Sequence, residues 1–206
     1  MTPIPPSIVR KLSALRRLND GYVGFFDVYR SSRGPEVSNS EFWTHAALVR
    51  SVHLIEGFAT MVERRNAYCA SALVRLQLDT AARLFAMSRV DDQADFVARL
   101  MRGEQINKMK DRDGQKMTDA YLVGLLAQDG RDWLKRVYET TSGYVHMSGF
   151  HLFMMAAPNP ADPNSVIQYV GTQDENWSEA SMDEAIDCFR ALSELIFTLA
   201  RSWWSG

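Results

Sequence analysis

This 206-residue chain predicts a single all-α domain, a helical bundle with a small β-hairpin inserted before the last long helix. Three observations carry that reading. Apolar residues recur at helical spacing along most of the chain. The stretch from about 67 to 87 is apolar around nearly its whole circumference, which suits only a helix at the centre of a bundle. One region alone, 151–171, changes period, with two β-prone runs flanking a loop rich in Pro, Asn and Asp. With 46% hydrophobic and 23% charged residues, the composition is that of a globular protein able to bury one core.

The elements follow in order. After Pro3, Pro5 and Pro6, Ser7 is placed to cap a first helix with Ile8, Leu12, Leu15 and Leu18 on one face. A turn or kink near Asn19, Asp20 and Gly21 leads to Tyr22, Val23, Phe25, Phe26 and Val28. Asn39 or Ser40 caps a second helix that runs to about Arg65 and carries Phe42, Ala46, Val49, His53, Ile55 and Met61. The third is the central helix, with Leu76 among its core positions and with Arg75 and Asp79 as its chief polar exceptions. Asp91 starts a short fourth helix. Residues 102–116 hold five Lys or Arg against three Asp or Glu and read as an exposed, mobile loop. Thr118 opens a brief helix through Leu126, and Asp129 caps the next, which reaches about Gly149. Runs at 151–157 and 165–171 form the hairpin flap, and Ser178 caps a long final helix ending at Trp203 and Trp204.

The net charge of −2 gives no global attraction to nucleic acid, and Asp111 and Asp113 dilute the local cluster of Lys108, Lys110, Arg112 and Lys116. Arg10-Lys11 and Arg16-Arg17 read as a solvated helix face. The two cysteines, Cys69 and Cys188, sit in apolar helical patterns and read as reduced thiols. The N-terminus has no apolar signal core, and no run of 18 apolar residues occurs. The expectation is a cytoplasmic protein without membrane contact.

The residues most able to carry chemistry are Tyr138, Ser142 and His146. Residues four apart on a helix drift only about 40° per step, so the three form one polar stripe. It runs through apolar sequence (Val137, Tyr144, Val145, Met147, Phe150), so it is expected to face the interior, where polar groups need partners. In the functional reading His146 is a general acid or base, or a ligand contact, with Ser142 and Tyr138 as its partners. In the structural reading the stripe is a satisfied network that fixes helix packing. Arg75 and Asp79, spaced i, i+4, divide in the same way: an anion contact aimed at the stripe, or a buried ion pair. All of these groups are expected to converge between two helices, because separate burial would leave each unsatisfied. No His, Cys and carboxylate set has metal-ligand spacing, no glycine-rich phosphate loop is present, and Gly-x-Ser-x-Gly is missing, so neither a metal nor a cofactor is predicted.

The helix segment Ala70-Ser71-Ala72-Leu73-Val74-Arg75-Leu76-Gln77-Leu78-Asp79, paired with Tyr138-x3-Ser142-x3-His146-x-Ser148, resembles a group of bacterial helical proteins of unknown function. That group is distantly similar to the HEPN superfamily, and the resemblance covers roughly residues 40–150 and the last helix. It implies a helical bundle that dimerises. Many HEPN domains are metal-independent ribonucleases of toxin–antitoxin and antiviral defence systems, with an Arg-x4–6-His motif on one helix. Here the nearest arginine before His146 is Arg136, with nine residues between them, and Arg65 has no histidine close behind. The ribonuclease motif is therefore unmatched. The resulting expectation is a non-catalytic HEPN-like homodimer that binds a partner chain or a small ligand. The alternative is a ribonuclease or toxin-like enzyme, acting on RNA through a rearranged site of Arg75 and His146.

Overall fold

The computed structural model describes residues 3–32, 36–145, 156–168, 171, 173–174 and 177–204. The fold is the predicted helical bundle with one small antiparallel hairpin before the last long helix. Among the described residues no helix is long and apolar enough to cross a membrane.

Helix α1 spans Pro6–Ser32. Pro6 occupies the first helical position, where its missing N–H costs nothing, and the Val9 N–H bonds back to the Pro5 carbonyl. Ser7 does not cap; its hydroxyl donates to Glu179. The expected turn at Asn19–Gly21 is absent, and the helix runs on through it. A helical glycine costs about 1 kcal/mol relative to alanine, and anchors on both sides hold the helix through it. Asn19 Nδ2 donates to Glu56, 3.1 Å away. Tyr22 is buried, with its hydroxyl donating to the Ser193 carbonyl.

Helix α2 spans Asn39–Glu63 and is capped by Ser38, one residue earlier than expected. Ser38 and Glu41 form a reciprocal capping box, which satisfies two otherwise orphaned N–H groups. Arg65, at φ 54°, turns the chain into α3, Ala67–Ala86, capped by Asn66. As predicted, α3 is the central helix: it packs against α2, against α5 (Asp119–Leu126), against α6 (Trp133–Val145) and against α7 (Glu179–Trp204). Leu78, Ala81, Ala82 and Leu84 are fully buried along it, while Leu76 is only half-buried. Phe58 of α2 stacks on Phe189 of α7 with ring centroids 4.1 Å apart. The core is not wholly apolar. Gln77 Nε2 donates to Ser51 Oγ at 2.6 Å and to Ser193 Oγ at 2.9 Å, and Tyr22 reaches the same junction, so one buried polar network ties α1, α2, α3 and α7 together. Burial pushes the Tyr22 phenol up to about 12.

Asp92, not Asp91, caps α4, Gln93–Met101. The segment 102–116 is largely exposed, as expected, but it buries more than its composition suggests. Most of its charged side chains are exposed, but Ile106 and Met109 are buried, and Asp111 is buried with its carboxylate sealed from solvent. Asp111 Oδ1 accepts the N–H groups of Asp113 and Gln115, and Oδ2 accepts the Tyr121 hydroxyl at 2.7 Å. A charged composition conceals this because three buried side chains suffice to pin a short loop. Burial acts to raise the Asp111 carboxyl. The bonds from Tyr121, Gln115 and Asp113, with nearby Arg89, outweigh it, and the group sits below the ordinary carboxylate value. A lowered carboxyl contributes stability that is present above its unfolded-state value and lost as pH falls through the folded one. Thermal melts should therefore show a stability loss below about pH 4 that is weakened in Asp111→Asn; identical acid limbs in the two proteins would contradict this role.

Thr118 caps α5 as expected. Helix α6 starts later than predicted, because Asp129 (φ 59°) and Gly130 (φ 82°) form a left-handed turn before it and Asp129 cannot be its cap. In the hairpin, β1 (Ala156–Asn159) pairs with β2 (Asp162–Gln168), so the strands reach further into the Pro/Asn/Asp segment than expected. The turn shrinks to Pro160 and Ala161 because Asn159 Oδ1 accepts the Ala161 N–H, a side-chain substitute for a backbone turn bond. The outer parts of the predicted strands, 151–155 and 169–170, lie outside the described residues. Ser178 caps α7 through a 3.1 Å bond from the Ser181 N–H.

Candidate functional site

The central helix α3 presents Tyr68, Ser71, Arg75 and Asp79 along the side that meets α6, and α6 answers with Tyr138, Ser142 and Tyr144. The spacing of the first set, three to four residues at each step, places them on one face of α3. Arg75 is the hub. Its Nε lies 2.8 Å from Asp79 Oδ1, and its Nη1 donates to Ser142 Oγ at 2.6 Å and to the Tyr138 carbonyl at 3.4 Å. The guanidinium also lies over the Tyr138 ring, 3.9 Å from its centroid, within range for a cation–π contact. Ser142 Oγ donates onward to the Tyr138 carbonyl at 2.8 Å.

This is the convergence expected from the sequence for Arg75, Asp79, Tyr138 and Ser142. His146, the fifth member, lies outside the described residues, as does His151. Arg75 is 6% exposed and Asp79 8%. For Arg75, burial pulls the pKa down, but Asp79 and Tyr138 outweigh it and keep the guanidinium charged. For Asp79, burial raises the carboxyl, and the partner arginine only partly offsets this. The cluster is thus an ion pair held in a low-dielectric seam and completed by a serine hydroxyl, a carbonyl and an aromatic face.

Three neighbours were not anticipated. Tyr68 meets Tyr144 edge-on with centroids 5.9 Å apart, and Ser71 lies within hydrogen-bonding reach of the Tyr144 phenol, which burial raises above its ordinary value. The polar register of Tyr68 and Ser71 with Arg75 on an otherwise apolar helix was the available signal.

The remaining candidates divide clearly. His45 stacks on Phe26 at 4.1 Å, and His53 is exposed on α2. Among the described residues no group of His, Cys, Asp and Glu is arranged to hold a metal ion. Cys69 and Cys188 are free and half-buried, and burial pushes the Cys188 thiol up to about 11. The basic pairs of α1 are more than a solvated face. Lys11 bonds Asp183 and Asp187 of α7 at 2.6 and 2.8 Å, and Arg16 bonds Glu56 and Glu63 of α2 at 3.1 and 2.6 Å. Phe25, Phe26 and Trp203 pack against the core. Comparison with protein-family models, curated proteins and solved structures gives no match.

Proposed function

We propose that this chain is a cytoplasmic, HEPN-like homodimeric module that acts by binding a partner chain or a small ligand and does not catalyse a reaction. The observation that carries this reading is the engagement of Arg75. An arginine that stabilises a transferring phosphate must present its guanidinium to the substrate. Arg75 instead is 6% exposed, with Nε on Asp79 and Nη1 on Ser142 and Tyr138. Such a satisfied pair orients helices α3 and α6 and shapes what lies at the edge of their seam. There Tyr68 and Val145, each 41% exposed, offer apolar contact area to a partner.

The alternative, a toxin-like ribonuclease of a defence system using Arg75 with His146, draws on one fact. Ser142, bonded to Arg75, precedes His146 by one helical turn of sequence. End-labelled RNA separates the two readings. The expected result is that wild type and His146→Ala leave single-stranded and duplex RNA equally intact, while Arg75→Lys lowers Tm by several degrees, since its two lost bonds are worth roughly 1–3 kcal/mol. RNA cleavage by the wild type that His146→Ala abolishes without a change in Tm would overturn the non-catalytic reading. Light scattering on the eluted protein tests the dimer.

A further inference from the structure

The loop between α4 and α5 sorts its charges by sign. Of its three acidic residues, Glu104 binds Arg99 at 2.5 Å, Asp113 binds Arg89 at 2.7 Å, and Asp111 is buried under Tyr121. Its lysines are left over: among the described residues Lys108, Lys110 and Lys116 are exposed and make no ion pair. The acidic residues that dilute this segment in the sequence therefore do not neutralise the surface it presents.

The backbone then places two of those lysines face to face. Lys110 and Lys116 are partners in an antiparallel bridge. The bonds on either side of it run from Met117 N–H to the Met109 carbonyl, 3.0 Å, and from Asp111 N–H to the Gln115 carbonyl, 2.9 Å. That pattern marks Lys110 and Lys116 as the non-hydrogen-bonded pair, the arrangement that brings opposed side chains closest, with Cα atoms about 4.5 Å apart. Alternation does the rest: Met109, Asp111 and Met117 point into the protein and are buried, so Lys110 and Lys116 point out together. Gly114, at φ 78°, supplies the left-handed turn that closes the ribbon, and Asp111 bonds both flanking N–H groups to hold it. Like charges directly opposed on a ribbon are destabilising, and this ribbon holds them opposed without an acid between them.

We propose that the ribbon of Lys110 and Lys116, with exposed Lys108 two residues before it, is a docking surface for the phosphodiester backbone of RNA. An anion between the two facing ammonium groups converts their repulsion into binding. Lysine brings a point charge without a recognition fork, which suits sequence-independent phosphate contact. Carboxylates of an acidic peptide are matched better by arginine forks, and the two arginines that pack against the ribbon are engaged: Arg112 on the carbonyls of Ser88 and Val90, Arg89 on Asp113. A lipid surface calls for aliphatic or aromatic side chains to insert, and the exposed ribbon positions 110, 112–116 carry none. The proposal uses residues that take no part in the Arg75 cluster and does not rest on the reading of that site.

The test is fluorescence anisotropy of the full chain with a labelled single-stranded RNA of mixed sequence, across a salt series. Binding is expected to weaken with salt, and the slope of log affinity against log salt should fall by about 0.7 for each lysine removed. Lys110→Gln with Lys116→Gln should weaken binding at low salt roughly 10-fold or more without lowering Tm, because both side chains are exposed and the change relieves a repulsion. Arg17→Gln, an exposed cation on α1, should leave affinity unchanged. Three outcomes overturn the proposal: no RNA binding by the wild type at low salt, an unchanged salt slope in the double variant, or equal capture of polyglutamate or phosphatidylserine vesicles.

Discussion

Asp79→Ala is expected to destabilise the protein by about 3–5 kcal/mol, the cost of leaving one partner of a buried ion pair uncompensated. Arg75 is charged, 6% exposed, and its Nε has Asp79 as its acceptor at 2.8 Å. Ser142, the Tyr138 carbonyl and the Tyr138 ring remain to Arg75 in the variant, but all are neutral. Chemical denaturation should show the midpoint moving with an unchanged denaturant slope, and Tm should fall on the order of 10 °C. Removing both charges, in Arg75→Met with Asp79→Leu, should recover most of the loss, because two desolvation costs vanish along with the attraction. A single variant within about 1 kcal/mol of wild type would mean that the pair behaves as a solvated one and that the seam is open to water. The comparison also bears on the proposed function: a double variant that is stable yet has lost the proposed binding would assign the pair to recognition rather than to packing.

Leu78→Ala should cost about 2–5 kcal/mol, the range for a leucine deleted from a core that relaxes only partly. Leu78 is fully buried on the central helix, in the same core as the stacked Phe58 and Phe189. Leu76 is the informative comparison. Read from the sequence alone it is a core leucine, yet it is half-buried, so Leu76→Ala should lose less, under about 2 kcal/mol. Equal losses at the two positions would show that α3 is rotated from the orientation described.

The sequence by itself determined the helical architecture, the central place of α3 and the pairing of Arg75 and Asp79 with Tyr138 and Ser142. These follow from local periodicity and from the need of buried polar groups for partners, and both are properties of spacing along the chain. Element ends were less legible. Ser38 rather than Asn39 or Ser40 caps α2, and Asp92 rather than Asp91 caps α4, because neighbouring polar residues differ little in capping strength and only the backbone angles choose among them. The continuity of α1 through Gly21 was decided by tertiary anchors, Asn19 on Glu56 and Tyr22 on Ser193, which outweigh a local preference to break.

Two features belong to the tertiary structure alone. The network of Ser51, Gln77 and Ser193 joins three helices across more than a hundred residues of sequence, and no local pattern marks three small or neutral polar residues as partners. The charge of segment 102–116 was visible, but its fate was not. Composition counts each Asp against each Lys, whereas the fold buries Asp111, commits Asp113 to Arg89, and turns Lys110 and Lys116 outward side by side. Net charge is additive along a chain. The field at a surface depends on which charges the backbone leaves there, and that depends on contacts made by residues far apart in sequence.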